Sequence, residues 1–173
     1  MDSHHDQVMK AIAKAGTGMR LYFAYSTVLD PEAFATWKQQ HGYDSFKLSE
    51  GRLGEAVDTT LVFDFPSRFW GGRVAGLAPQ EGEVVHGRVF EVSEKDWPIV
   101  QHKEGAVTGM AVEQPLDVRI GNEVVEATAF ITNPARQSSD GPVSAQFVEA
   151  LRRGARASGL PAAWLEKIAV LAK

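Results

Sequence analysis

The sequence predicts an α+β fold, a small mixed β-barrel flanked by helices. Three observations carry this. Strand patterns follow one another from Ala56 to Asn133 with one short helical stretch among them, so consecutive strands dominate the centre. The first strand, Leu21 to Tyr25, is apolar or aromatic at every position, as in a strand covered on both faces. The chain then ends on two helical patterns, Val143 to Ala157 and a last segment opened by Pro161.

Residues 1–18 read as a flexible N-terminal arm and residues 19–173 as one domain. The arm carries His4-His5, two adjacent histidines that fit a tag remnant or solvated tail better than a metal site. After the first strand come Ser26 and Thr27, then Asp30-Pro31. Asp30 suits a helix cap, and Pro31 the first helical position, where its missing N–H goes unneeded. That helix runs to about Gln40 and stops near Gly42, and Tyr43 to Ser49 reads as a second extended piece. Ala56 to Phe65 alternates as a strand; Pro66 to Gly72 is a loop holding Phe69, Trp70 and a Gly71-Gly72 pair. Arg73 to Ala78 and Glu83 to Val92 are strands around a turn at Pro79 to Gly82. Ser93 to Asp96 has the form of a capping box, but Pro98 moves the helix start toward itself; the helix ends at Glu104-Gly105. Ala106 to Ile120 and Glu123 to Asn133 form a hairpin about Gly121-Asn122. Pro134 to Pro142 is a loop. In the helix that follows, Val143, Phe147, Ala150 and Leu151 share one face; Trp164, Leu165, Ile168 and Leu171 mark the last helix.

Composition narrows the function. Lys plus Arg is 18 and Asp plus Glu 22, a formal charge of −4, which disfavours nucleic acid and anionic membrane as partners. No apolar run approaches the roughly 20 residues of a membrane helix. With 0 cysteines, thiolate nucleophiles, disulfides and Cys-ligated metals are excluded. There is no Gly-x-Ser-x-Gly elbow, phosphate-binding Walker loop or His-Glu-x-x-His pair, so metal catalysis and serine nucleophilic catalysis have little support and no metal is expected. A cytoplasmic location is expected.

Two places hold the candidate chemistry. The strand-to-helix corner after Tyr25 aims backbone N–H groups at one spot, suited to a carboxylate or oxyanion; an ordinary corner with no ligand explains the same residues. Glu104 sits at a helix end before a glycine, where the chain turns apolar. A carboxylate tucked there is partly desolvated and suited to proton transfer, whereas a solvated surface glutamate has no such role. His102, Asp96 and His86 complete the acid–base inventory, although His86 lies in a strand pattern.

In order along the chain, the residues resemble the gamma-glutamyl cyclotransferase-like family. Tyr22-Phe23-Ala24-Tyr25-Ser26-Thr27-Val28-Leu29 is similar to the family's Tyr-Phe-Ala-Tyr-Gly-Ser-Asn-Leu signature. Trp70 to Ala75 and Glu83 to Phe90 resemble its next strands, and Lys103-Glu104-Gly105 followed by Thr108-Gly109-Met110 resembles the motif of its catalytic glutamate. Ala129 to Asn133 and Gly159-Leu160-Pro161 resemble its late strand and last turn. The resemblance spans about residues 20–170 in one register.

It implies a cofactor-free cyclisation of a γ-glutamyl compound to 5-oxoproline, a lyase-type transferase reaction tied to glutathione metabolism. Glu104 is the implied general acid/base. Tyr22, Phe23, Ala24, Tyr25, Ser26 and Thr27 form the implied substrate cradle, with Phe147 beside it, and a homodimer is implied by family analogy alone. The departures matter as well. Ser26-Thr27-Val28 replaces Gly-Ser-Asn, and Ala111, Phe130 and Phe147 stand where the family often has tyrosine. They point to a larger, less polar pocket and an altered substrate. They also sustain a rival reading, a non-catalytic ligand- or protein-binding module with the same fold.

Overall fold

The computed structural model describes residues 18–173. The expectations about the arm, including His4-His5, lie outside the described residues, apart from Gly18.

The strands are β1 (Met19–Ala24), β2 (Arg52–Ser67), β3 (Gly72–Ser93), β4 (Ala111–Ile120) and β5 (Glu123–Thr132). The helices are α1 (Pro31–His41), α2 (Trp97–Glu104), α3 (Ala145–Ala157) and α4 (Ala162–Leu171). Single 3-10 turns lie at Thr27–Leu29 and Pro134–Arg136. The strands form a closed barrel in the order β1-β3-β2-β4-β5. Neighbours are antiparallel except at the closure, where β1 meets β5 in parallel with Tyr22 opposite Thr128. The α+β class expected from the sequence is therefore the one observed.

β1 is buried at Tyr22, Phe23 and Ala24 in succession, as an unalternating strand requires. Gly87 lets β3 come close: a Cβ there would lie 2.3 Å from the Ala24 carbonyl oxygen and 2.8 Å from Phe23. At α1, Asp30 caps as expected, accepting from the Glu32 N–H at 3.3 Å, and Gly42 ends the helix at φ 75°. Asp30 is itself buried and held by the Arg153 guanidinium of α3 at 2.6 Å, which ties the two helices at the first turn.

Three expectations need correction, while the start of α2 falls beside Pro98 as expected. The stretch from Tyr43 to Ser49 is not a strand; it is an irregular connection with a turn from Tyr43 to Phe46. The segments from Arg73 to Ala78 and Glu83 to Val92 are one 22-residue strand, β3. The turn between them survives as a bulge: Val57 faces Val84 while Thr59 faces Pro79, so Asp58 alone spans residues 80–83. Asp58 takes φ 52° and accepts the Gly82 N–H at 2.9 Å, which keeps the arch attached to its partner strand. Ser93 does not cap α2. Its hydroxyl oxygen accepts the Asp96 N–H at 3.1 Å, and the helix begins at Trp97 with Pro98 in its first turn, where proline costs nothing. Finally, β4 begins at Ala111 rather than Ala106. Residues 105–110 form turns through Gly105 and Gly109, both at positive φ.

The β4–β5 hairpin turns at Gly121-Asn122 as expected, with Gly121 at φ 61° and Ile120 paired to Glu123. Ser144 caps α3 by accepting the Phe147 N–H at 3.1 Å. α4 packs Trp164 and Ile168 into the core, about 1.5–3 kcal/mol each on the usual scale of apolar burial. No helix among the described residues is long and apolar enough to cross a membrane.

Candidate active site

A cleft of about 810 Å³ opens between the 3-10 turn after β1, the face of α1, the C-terminal end of α2 and the start of α3. Its walls include Tyr25, Ser26 and Thr27, then Lys103 and Glu104, with Ala111, Phe130 and Phe147 behind them. Each part follows from local folding. Glu104 is the last residue of α2, and Gly105 at φ 87° turns the chain off the helix axis. The loop behind it is pinned at both ends: Met110 and Ala111 donate to the Gly105 carbonyl at 3.1 Å, and the Asn133 amide donates to the Gly109 carbonyl at 2.8 Å. On β2, a second bulge sets Phe63 and Asp64 opposite Ala75, between the Val62–Gly76 and Phe65–Val74 pairs. It brings Phe65, Val74 and Ala75 to the cleft wall.

The Tyr22 hydroxyl crosses the barrel end and donates to Glu104 Oε1 at 2.5 Å. Its ring is held edge-on by Trp97 and Phe130, each at 6.0 Å between centroids. The Tyr25 hydroxyl donates to the Phe130 carbonyl at 2.6 Å. Burial above all, with the Glu104 charge adding, pushes both phenols well above their ordinary value, so both remain donors. Glu104 keeps part of its surface open to the cleft but is closely ringed by protein. This desolvation raises its carboxyl above the ordinary range; the Lys103 charge and the Tyr22 hydroxyl oppose the rise. Lys103 is pulled down by the same burial, with Glu104 opposing. A carboxylate held between these forces can take a proton and give it back.

The structure brings Glu104, Tyr25, Ser26, Thr27 and Phe147 to one cleft, and Tyr22 joins them through its hydroxyl. Phe23 and Ala24 do not line it. Phe23 stacks on Tyr25 at 6.2 Å, and Ala24 is paired with Arg88 of β3, its carbonyl oxygen close against Gly87. Ser26 sits at φ −121°, so the turn does not require glycine there; Val28 is buried in the core rather than offered to a ligand. Ala111, Phe130 and Phe147 give the cleft an apolar back wall, continued by Trp70, whose ring meets Phe147 at 5.6 Å. His86 lies away from the cleft against Trp164, where burial lowers its pKa; Asp96 precedes α2 and does not line the cleft.

On the opposite wall His102, an acid–base candidate from the sequence, is joined by Trp37 and His41, which sequence reasoning missed. Trp37 and His41 stack at 4.7 Å, and His102 meets them edge-on at 5.3 and 4.9 Å, all three lining the cleft. Tyr43 supports them by stacking on Trp37 and bonding His102 Nδ1 at 3.1 Å. The signal was available: Trp37 and His41 are four apart on a helix, hence on one face. Lys103 was also passed over. Its Nζ lies 3.4 Å from Thr27 Oγ1 and 5.9 Å from the centre of the Trp37 ring.

A family model described as the AIG2-like family matches residues 84–168. A solved structure named gamma-glutamyl cyclotransferase is 22% identical, covering 87% of this chain and 86% of its own, with a TM-score of 0.72. An uncharacterised human protein is 23% identical over 88% of this chain and 87% of its own, also at 0.72. A yeast gamma-glutamyl cyclotransferase specific to glutathione is 11% identical over 89% of this chain and 97% of its own, at 0.59. Among curated protein sequences none matches this chain. At these identities the structural likeness is one of fold.

Proposed function

We propose that this protein cyclises a γ-glutamyl compound, releasing an amine or amino acid and forming 5-oxoproline. The observation that carries the reading is the Glu104 carboxyl, raised by burial and bonded by the Tyr22 hydroxyl, in one cleft with Tyr25, Ser26 and Thr27. In the reaction Glu104 takes a proton from the substrate's α-ammonium. The freed amine attacks the γ-carbonyl carbon, a C–N bond forms within the five-membered ring, and the bond to the leaving amine breaks. Glu104 returns that proton to the leaving nitrogen and then carries across the second proton, which the ring nitrogen sheds as it becomes an amide; the amine departs as an ammonium and the protein ends as it began. The nucleophile is already in the substrate, and the protein has only to fold the chain back and carry the proton. Leu29 is the first N–H to donate within the 3-10 turn, to the Ser26 carbonyl at 3.1 Å. The N–H groups of Thr27 and Val28 precede it and suit the developing oxyanion.

The apolar back wall at Ala111, Phe130 and Phe147 favours a second reading, a ligand-binding module without turnover. One experiment separates them. Purified protein and E104Q are incubated with γ-glutamyl amines, γ-glutamyl amino acids and glutathione, and 5-oxoproline is detected by mass spectrometry. Product from the native chain that falls at least about 100-fold in E104Q supports cyclisation. A folded protein that forms none from any of them supports the binding module.

A further inference from the structure

The cleft carries a cation that the cyclisation chemistry does not use. Two long cationic side chains line it, Lys103 and Arg153. Arg153 is committed to Asp30 at 2.6 Å and reaches Glu32 at 3.7 Å. Lys103 is not so committed. Its Nζ has one long hydrogen bond, to Thr27 Oγ1 at 3.4 Å, and lies over the Trp37 ring. Among the described residues it is in no ion pair within 4.0 Å. An ammonium held among protein atoms, with the neighbouring Glu104 acting on it only from beyond ion-pair distance, is costly, and an incoming anion lowers that cost.

The neighbouring residue says which anion. Lys103 and Glu104 are consecutive on the last turn of α2 and both face the cleft. Their opposite charges are offered side by side. The α-carbon of an amino acid presents the complementary pair, a carboxylate and an ammonium on one atom. We propose that Lys103 binds the α-carboxylate of the glutamyl end, so that this cleft selects a free α-amino acid head group. Glu104 then meets the α-ammonium, the group whose proton it removes in the cyclisation reading on which this inference rests. Thr27, within reach of Lys103 Nζ, sets the side of the turn on which the carboxylate lies.

The test compares γ-glutamyl-alanine with the same compound carrying an α-carboxamide on its glutamyl residue. Mass spectrometry reads 5-oxoproline and its amide as products. Calorimetry reads binding of both compounds to the native chain and the variants. The native chain should prefer the carboxylate by about 10- to 150-fold in kcat/KM, the range of a hydrogen bond to a charged group. K103M, which keeps an unbranched stem against Trp37, should lose that preference mainly through KM, and K103R should keep it. Thermal melting checks that each variant is folded. If K103M keeps the preference and only its pH–rate profile moves, Lys103 serves Glu104 rather than the substrate, and the proposal is overturned. If no compound is turned over, the cyclisation reading fails on its own. Calorimetry then decides Lys103: a carboxylate preference in binding that K103M abolishes upholds its role, and no binding overturns it.

Discussion

At the scale of single residues, the Glu104 pair sets the chemistry. Tyr22 donates to a carboxylate whose proton affinity burial raises. An O–H donor favours the ionised form, so removing it raises the carboxyl's proton affinity further. Y22F should therefore lower 5-oxoproline formation about tenfold near pH 6 and less near pH 8, with the acid limb of the pH–rate profile moved upward. A loss equal at both pH values would mean that Tyr22 positions rather than tunes. Glu104 itself was legible as a residue, since a glutamate before a glycine at a helix end is visible in the sequence. Its bond to Tyr22, 82 positions away, was not. No local pattern reports which strand residue crosses a barrel to which helix end.

At the scale of elements, α3 is held by a close approach as well as by burial. A Cβ on Gly154 would stand 2.7 Å from the Asp30 backbone nitrogen and 2.9 Å from the Leu29 carbonyl carbon. Helix propensity favours alanine over glycine by about 1 kcal/mol. Here that gain is outweighed, because the obstacle is backbone and cannot rotate away. G154A should cost about 2 kcal/mol net and lower the melting temperature by about 4–8 °C. Since Asp30 and Leu29 adjoin the Thr27 turn, turnover should fall too. A melting temperature that rises would show that α3 slides freely over the turn. Helix limits and caps were largely readable: Asp30-Pro31 and Gly42 bound α1 as the residues suggest. The Ser93 hydroxyl serves a turn before the helix, and Pro98 decided the start, as its place in the sequence suggests.

At the scale of the whole molecule, the cleft depends on closure of the barrel. β1 pairs with β5 in parallel, which carries Tyr22 and Phe130 to the same end as α2. The site is then linked to global stability. A carboxyl whose affinity for protons is higher in the fold than in the unfolded chain favours the fold most at low pH. That contribution is fully present below the ordinary value of 4.5 and is lost as pH rises through the raised value. E104Q removes the titration. Its melting temperature should match or exceed the native value at pH 8, by about 2–4 °C for each kcal/mol gained, and the advantage should shrink toward pH 4.5. Thermal melts of both proteins across that range test this. An E104Q chain less stable than the native one at pH 8 would mean that the charge is stabilised in place.

The sequence by itself determined the α+β class, the hairpin at Gly121-Asn122, the caps of α1 and the ordered motifs that resemble the cyclotransferase-like family. These depend on local spacing, turn residues and hydrophobic period, which a linear chain displays. Only the tertiary structure decided that β3 runs unbroken past Pro79, because a strand's continuity is set by its partner's hydrogen bonds and by the Asp58 bulge. It also decided that Phe23 and Ala24 pack away from the cleft while Trp37, His41, His102 and Lys103 line it. Which face of an element is turned toward a cavity is fixed by the elements that cover its other face, and that information is distributed over the whole chain.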